Sequence, residues 1–123
     1  MISIIAGKYK GRKLHDLKNL HVRPTQAKVR KSVFQILEPF DGLEVLDLYA
    51  GVGTLGIEAI SRGASRVVFV EKNRRVFKVL QKNLQLLEEI SMLLSSALML
   101  LSLTDWFWSS ASDLELQSVK FVL

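Results

Sequence analysis

The chain has 123 residues with a formal net charge of +5, and 49% of its residues are hydrophobic while 24% are charged. This length and balance predict one folded domain with its own core, and they exclude both a pair of domains and a disordered tail. The absence of cysteine excludes a disulfide framework, a thiolate nucleophile and a cysteine zinc site, and we predict no metal site.

Residues 1–24 are predicted to form a basic hairpin followed by a polar loop. Short strands at residues 3–6 and 12–14 flank a turn in which two glycines bracket Tyr9 and its lysine neighbours. The basic residues come too early and too densely for a signal peptide. Over residues 1–38, nine Lys or Arg face two acids, giving +7, whereas the remainder of the chain gives −2. Such an arm suits a polyphosphate partner, although a solvated surface that only aids solubility explains the charge equally well.

Residues 25–40 are predicted to contain the first helix. Thr25 can cap its N-terminus, and Pro39 lies where the helical pattern stops. Apolar residues recur at helical spacing at Val29, Val33, Ile36 and Leu37. This spacing is typical of a helix.

From residue 41 onward the pattern changes to alternating strands and helices, which predicts a partial parallel sheet over residues 41–123. The predicted elements are a strand through 45–48, a helix at about 54–62, a strand at 66–70 and a helix at about 73–87. Residues 90–94, 97–108 and 119–123 are interpreted as strand, helix and strand. The longest uncharged run, residues 90–104, is too short and too rich in Ser and Thr for a membrane span, so we interpret it as core and expect no membrane partner. Because no cysteine calls for an oxidising compartment, we expect a cytoplasmic location.

The segment VLDLYAGVGTLGIEA places the pattern G-x-G-x-x-G, formed by Gly51, Gly53 and Gly56, between a strand and a helix. The first two glycines allow a ligand to approach the backbone, and the third allows helix and strand to pack closely. Such a pattern can also be a purely structural turn. Glu71 ends the next strand, where an acidic side chain can accept hydrogen bonds from both hydroxyls of a ribose.

Asp47, which ends the strand before the glycine turn, bears on which adenosine cofactor is expected. A nicotinamide dinucleotide would bring its pyrophosphate to the start of the following helix, and Asp47 would add unfavourable charge there. S-adenosylmethionine has no phosphate, and its ammonium group can pair with a carboxylate. The pattern therefore favours S-adenosylmethionine, although Asp47 could instead brace the amides of the loop.

Four segments in order resemble one family, the bacterial methyltransferases that modify a guanine N2 in small-subunit (16S) ribosomal RNA. The matching segments are IIAGKYKGRKL, RPTQAKVRKSVFQIL, VLDLYAGVGTLGIEAISRGA and VVFVEKN, and they cover about residues 2–87. The resemblance implies a single α/β domain over residues 1–123 with the Rossmann-like fold of class I S-adenosylmethionine-dependent methyltransferases. It also implies an enzyme whose partner is ribosomal RNA or the small ribosomal subunit.

The resemblance further implies roles for individual residues. The residues expected to bind the cofactor are Arg23, Thr25, Asp47, Gly51, Gly53, Glu71 and Ser96. The residues expected to contact RNA are Lys8, Tyr9, Lys10, Arg12, Lys13 and Arg30. Two of these have a structural alternative, since Arg23 could orient the loop before Pro24 and Tyr9 could pack in its turn instead of stacking on a base.

The chain departs from the family pattern in two places. It lacks the Asp-Pro-Pro-Tyr type of motif that orients the target amine, and its final segment VKFVL resembles the strand that precedes that motif. Ser95 and Ser96 stand where similar proteins carry an acid near the adenine. We therefore expect a fold that is incomplete because its C-terminal half is truncated, frame-altered or diverged, an inactive chain, and an exposed sheet edge that could self-associate.

The sequence leaves functions from different classes to compare. The leading hypothesis is methyl transfer from S-adenosylmethionine to a guanine N2 of ribosomal RNA. The alternative is an RNA-binding module in which the nucleotide fold serves only as a scaffold. A nicotinamide-linked oxidoreductase is a third possibility, which Asp47 and the basic arm both disfavour. Affinity for S-adenosylmethionine separates the first hypothesis from the other two.

Overall fold

The computed structural model describes residues 2–17, 27–87, 97–99 and 121–122. The elements are β1 (Ile2–Ser3), β2 (Lys13–Leu14), α1 (Ala27–Leu37), β3 (Glu44–Asp47), α2 (Thr54–Ser61), β4 (Arg66–Glu71), α3 (Arg74–Gln85), β5 (Ala97–Met99) and β6 (Phe121–Val122). The alternation of strands and helices from β3 to β5 confirms the α/β class. None of the helices in the described ranges is both long enough and apolar enough to span a bilayer.

Four strands form a parallel sheet in the order β5-β4-β3-β6. Val45 of β3 is in register with Val67 of β4 on one side and with Phe121 of β6 on the other. The chain therefore builds outward from β3 through β4 and β5, and then returns to the opposite side of β3. Ligands of open α/β sheets bind beyond the carboxyl ends of the strands at such a reversal of strand order. The loop after β3 occupies this position.

The core lies between the sheet and its helices, and close packing explains the third glycine of the pattern. Residues 67–70 of β4 are buried, as expected for a parallel strand covered on both faces. A Cβ added to Gly56 of α2 would lie 2.2 Å from the ring of Phe69. The absence of a side chain at Gly56 therefore lets α2 lie directly against β4, as predicted.

The hairpin is confirmed, but its strands are shorter than predicted. Ile2 pairs with Leu14 and Ser3 with Lys13, and the two arms are joined further only at Ile4, whose N–H donates to the carbonyl of Arg12 at 2.9 Å and whose carbonyl accepts from the N–H of Gly11 at 2.8 Å. The backbone N–H groups of Ile5 and Ala6 instead donate to the carboxylate of Glu58 on α2, at 2.9 and 3.1 Å. A side chain from the domain thus replaces the strand partner, which fixes the hairpin to α2.

The apolar residues at helical spacing in α1 are divided between core and solvent, since Leu37 packs against the core cluster while others are exposed. Val29 is 48% exposed and Ile36 is 80% exposed, whereas Arg30 and Phe34 are buried. The helix is oriented by the ring of Phe34, which packs 4.9 Å from the ring of Phe40. Burying an aromatic ring removes more apolar surface from water than burying a valine, so Phe34 decides the rotation of the helix.

Residues 97–99 form a strand, so the prediction of a helix beginning there was wrong. They pair in parallel with residues 69–71 of β4. A short apolar segment has no periodicity that distinguishes strand from helix, and pairing with a neighbouring strand decides the outcome. The strand predicted at 119–123 is confirmed at Phe121–Val122. The strand predicted at 90–94 lies outside the described residues.

Candidate functional site

Asp47 lies at the carboxyl end of β3 and is 1% exposed. Burial raises the pKa of its carboxyl group to about 7, and the nearby charge of Glu71 acts in the same direction. Hydrogen bonding from the backbone of Gly56 and Tyr49 opposes this shift of the pKa. The Oδ2 atom has no hydrogen-bond partner within the described structure. A buried carboxylate oxygen without a partner is costly, so this atom marks a place for a cationic donor.

Gly51 follows Asp47 in the turn and leaves open space beside the backbone. It adopts φ +57°, in the left-handed region that favours glycine, and a Cβ built on it would meet no atom within 4 Å. Gly53 differs, because a Cβ there would lie 2.4 Å from Leu80 and 2.9 Å from Ile57. The prediction that both glycines leave room for a ligand therefore holds for Gly51, whereas Gly53 faces the packed interior.

Glu71 lies at the carboxyl end of β4, on the same edge of the sheet as Asp47. Its Oε2 accepts a hydrogen bond of 2.9 Å from the backbone N–H of Gly51, and its Oε1 accepts one of 2.8 Å from that of Asn73. The carboxylate of Glu71 is therefore half-buried, and each of its oxygens accepts a backbone hydrogen bond. The structure thus brings Asp47, Gly51 and Glu71 together at one crevice. Three other predicted cofactor residues, Arg23, Thr25 and Ser96, lie outside the described residues.

The hairpin presents some of the cations predicted to contact RNA. Lys8, Lys10 and Lys13 are exposed. Arg12 is half-buried: its guanidinium lies 4.8 Å from the centre of the Tyr9 ring and donates to the carbonyl of Leu86 just beyond α3. Three exposed lysines therefore remain as phosphate-binding candidates, while Arg12 also ties the hairpin to the end of α3.

Tyr9 and Arg30 are buried, which disfavours the predicted contact of their side chains with RNA. Tyr9 is 3% exposed and its ring belongs to the core, which is the alternative in which it packs in its turn. Arg30 is also 3% exposed, and its guanidinium donates to the carbonyl of Ser3 at 3.1 Å and lies 3.9 Å from Glu58. Both side chains fix the hairpin to the domain and are not available to an incoming nucleotide.

Sequence reasoning missed the polar residues of α2 that hold the hairpin. Glu58 is fully buried and accepts from the Nε of Arg62 at 3.0 Å, in addition to the two hairpin N–H groups. Ser61 donates to the carbonyl of Ala6 at 2.6 Å and accepts from the N–H of Tyr9 at 2.9 Å. The only signal in the sequence was a charged residue inside an otherwise apolar helix, which indicates a buried partner.

Sequence reasoning also missed Asn83, which is a polar residue among the buried residues of α3. Its side-chain oxygen accepts from the N–H of His15 at 2.7 Å, and its side-chain nitrogen donates to the carbonyls of His15 at 3.1 Å and Val52 at 2.8 Å. One buried amide therefore joins the segment that follows the hairpin to the glycine turn.

Comparison with known proteins connects this site to a family. A family model described as "Conserved hypothetical protein 95" matches residues 2–105. A relative from Haemophilus influenzae, named "Ribosomal RNA small subunit methyltransferase D", is 44% identical over 88 residues, which cover 71% of this chain and 46% of the relative. A relative of the same name from Escherichia coli is 41% identical over 88 residues, covering 71% and 44%. The chain thus spans about half the length of the curated relatives it matches.

A solved structure described as "Putative methyltransferase yhhF from Escherichia coli" superposes with a TM-score of 0.67 at 36% identity. The match covers 82% of this chain and 52% of that protein. The chain therefore shares the Rossmann-like α/β fold of class I methyltransferases, and it matches about half of a chain with that fold.

Proposed function

Because the chain belongs to the family described as Conserved hypothetical protein 95, we propose that it carries the S-adenosylmethionine-binding part of a methyltransferase whose target is the exocyclic N2 of a guanine in small-subunit ribosomal RNA. The observation that carries this proposal is the buried, unpartnered Oδ2 of Asp47 beside the open backbone of Gly51. The names of the two curated relatives support ribosomal RNA as the substrate.

The residues at the crevice fit this cofactor better than a dinucleotide. Asp47 offers a desolvated carboxylate to an ammonium group, and a cation placed there would satisfy its free oxygen. Glu71 is held by Gly51 and Asn73 in an orientation that leaves lone pairs for ribose hydroxyls. A pyrophosphate at the start of α2 would instead meet the carboxylate of Asp47, which would repel it, whereas Glu71 at the ribose suits either cofactor.

The chain's own residues would act by binding and orientation. Asp47 would hold the amino-acid end of the cofactor, Glu71 its ribose, and the bare backbone of Gly51 would let it lie against the turn. When bound, S-adenosylmethionine supplies a methyl group on a sulfonium that a neutral amine can attack. Fixing the cofactor in one orientation contributes to catalysis through positioning, which is the main contribution expected of a protein in such a transfer.

The target amine would need a second set of residues. β6 lies beside β3 in parallel, and by the family resemblance it would be the strand that precedes the Asp-Pro-Pro-Tyr type of motif. That motif is absent from the 123 residues. We therefore propose that this chain binds S-adenosylmethionine but does not by itself transfer the methyl group, and that Lys8, Lys10 and Lys13 contact RNA phosphates.

Calorimetric titration of S-adenosylmethionine tests the cofactor proposal. Asp47→Asn and Glu71→Gln each remove a charge-assisted interaction worth about 1.5–3 kcal/mol, so we expect affinity to fall about 10- to 150-fold. Asp41→Asn is the matched control, because Asp41 is exposed and lies before β3, at the opposite edge of the sheet; its affinity should equal that of the unmodified chain. Unchanged affinity in Asp47→Asn would overturn the assignment, and RNA binding without any affinity for S-adenosylmethionine would favour the RNA-binding module.

A further inference from the structure

The surface of α3 carries a concentration of positive charge that the proposed cofactor site does not use. The stretch from residue 72 to residue 87 contains five basic residues and no acid. They are Lys72, Arg74, Arg75, Lys78 and Lys82, and all five are exposed. Beyond residue 38 the chain as a whole carries a net charge of −2. The segment 72–87 is nonetheless strongly basic, because the acidic residues of that part of the chain lie outside it.

The four helical cations lie on one face, which we call the α3 basic face: Arg74, Arg75, Lys78 and Lys82. At about 100° per residue they occupy an arc of about 100°. The buried residues of the same helix are Val76, Phe77, Leu80, Asn83 and Leu84. These lie on the opposite side, so the α3 basic face points directly away from the core.

The stability of α3 does not explain this arrangement. Arg74 and Arg75 lie in the first turn, where the helix dipole disfavours cations by about 0.3–1 kcal/mol each. Lys78 follows Arg74, and Lys82 follows Lys78, at the i,i+4 spacing at which like charges repel by about 0.2–0.5 kcal/mol per pair. In the described part of the chain none of the four forms an ion pair with an acid.

The helix α3, whose outer side is the α3 basic face, runs between two regions that the proposed function already uses. At its N-terminal end, the N–H of Asn73 donates to Glu71 of the cofactor crevice. At its C-terminal end, the guanidinium of Arg12 from the hairpin donates to the carbonyl of Leu86. The eight-residue rise from Arg74 to Lys82 is about 12 Å, enough to follow roughly three phosphates of a stacked strand.

We propose that the α3 basic face binds the phosphate backbone of RNA and extends the phosphate-binding surface of the hairpin along α3 toward the cofactor crevice. The proposal rests on the proposed function, because the choice of RNA among polyanions follows from it. The contacts are to phosphates, so the surface adds affinity and orientation without reading base sequence.

The test is binding of a fluorescein-labelled RNA hairpin of small-subunit ribosomal sequence, measured by anisotropy over a series of salt concentrations. Arg74→Gln/Lys78→Gln removes two phosphate contacts, so the slope of log affinity against log salt should fall in magnitude by about 1.5, and affinity at 0.1 M salt should fall at least about tenfold. Arg74→Lys/Lys78→Arg keeps both charges and is the matched control; its slope should equal that of the unmodified chain.

Thermal unfolding of the Gln variant separates lost contacts from lost structure. Removing like-charge repulsion should leave its melting temperature unchanged or higher, and its affinity for S-adenosylmethionine should be unchanged. An unchanged salt slope in the Gln variant would overturn the inference while leaving the cofactor proposal intact. The inference would also be overturned if the Gln variant lost binding to anionic phospholipid vesicles while its RNA binding stayed unchanged, because the α3 basic face would then bind a membrane surface.

Discussion

Asp47 shows how the environment of a single residue can set its chemistry. A carboxyl group ordinarily ionises near pH 3.8, but burial at the end of β3 raises its pKa to about 7. Ionisation of this group is therefore costly at neutral pH, and a cation beside it would lower that cost. The same carboxylate on the surface would be solvated and would gain much less from an ammonium partner.

The pKa of Asp47 predicts how stability depends on pH. The native state binds the proton more tightly than the unfolded chain, so this group's contribution to stability is full below about pH 4 and is lost as pH rises to about 7. Asp47→Asn cannot ionise. In the absence of cofactor the variant should therefore exceed the unmodified chain in free energy of unfolding at pH 8, by up to about 4 kcal/mol as an upper limit.

Urea unfolding at pH 5 and pH 8 provides the measurement. The advantage of Asp47→Asn over the unmodified chain should be larger at pH 8 than at pH 5. Equal differences at the two pH values would show that Asp47 titrates normally.

At the scale of the element, the strand-turn-helix unit from β3 to α2 divides its glycines between two tasks. Gly51 faces open space, whereas Gly53 and Gly56 face packed side chains. The spacing of three glycines is visible in the sequence, but their division of labour is not. It depends on where Leu80 of α3 and Phe69 of β4 arrive in the folded chain.

This division predicts opposite effects for two identical substitutions. Gly56→Ala would force a methyl group against the buried ring of Phe69 and should lower stability by about 1–3 kcal/mol, less any gain in helix propensity. Gly51→Ala meets no such contact but crowds the crevice and must adopt φ +57°. Its main effect should be weaker binding of S-adenosylmethionine, with a loss of about 1 kcal/mol in stability.

Chemical denaturation and calorimetric titration of both variants test the contrast. Gly56→Ala should retain cofactor affinity under conditions in which it is folded. The proposed difference in role between the two glycines would be contradicted if Gly51→Ala bound S-adenosylmethionine normally, or if Gly56→Ala were as stable as the unmodified chain.

At the scale of the molecule, buried polar side chains attach the hairpin to the α/β unit. Glu58 receives the hairpin backbone and Arg62, and Asn83 joins His15 to the glycine turn. Apolar contacts of Ile2, Ile4 and Leu14 complete the attachment. The exposed lysines of the hairpin and the proposed cofactor site therefore belong to one packed body, which fixes the distance between them.

Replacing Glu58 should loosen this attachment. Glu58→Gln keeps the size but leaves a single acceptor oxygen for the N–H groups of Ile5 and Ala6, and it leaves Arg30 and Arg62 without their buried counter-charge. Breaking a buried pair in this way costs about 3–5 kcal/mol. We expect faster hydrogen exchange at the amides of Ile5 and Ala6, measured by mass spectrometry.

Glu38→Gln provides the comparison, because Glu38 also pairs with Arg62 but is exposed. It should cost no more than about 1 kcal/mol and leave the exchange of both amides unchanged. Equal exchange in the Glu58 and Glu38 variants would mean that the hairpin is held mainly by its apolar contacts.

Local patterns determined the α/β class, the hairpin, the positions of α1, α2 and α3, and the edge of the sheet where Asp47 and Glu71 meet. These features follow from the periodicity of apolar residues and from where glycines interrupt it, and both are properties of neighbouring residues. The four segments that resemble the methyltransferase family were also visible without coordinates, because they carry the glycine turn and its flanking acids in order.

Only the tertiary structure decided which side chains are buried and what they contact. It rotated α1 onto Phe34, placed Tyr9 and Arg30 in the interior, and turned residues 97–99 into a strand. Glu58 meets Ile5 across 53 positions of sequence, and Asn83 meets His15 across 68. Such contacts depend on how separate elements pack, and no pattern confined to a short stretch of chain contains that information.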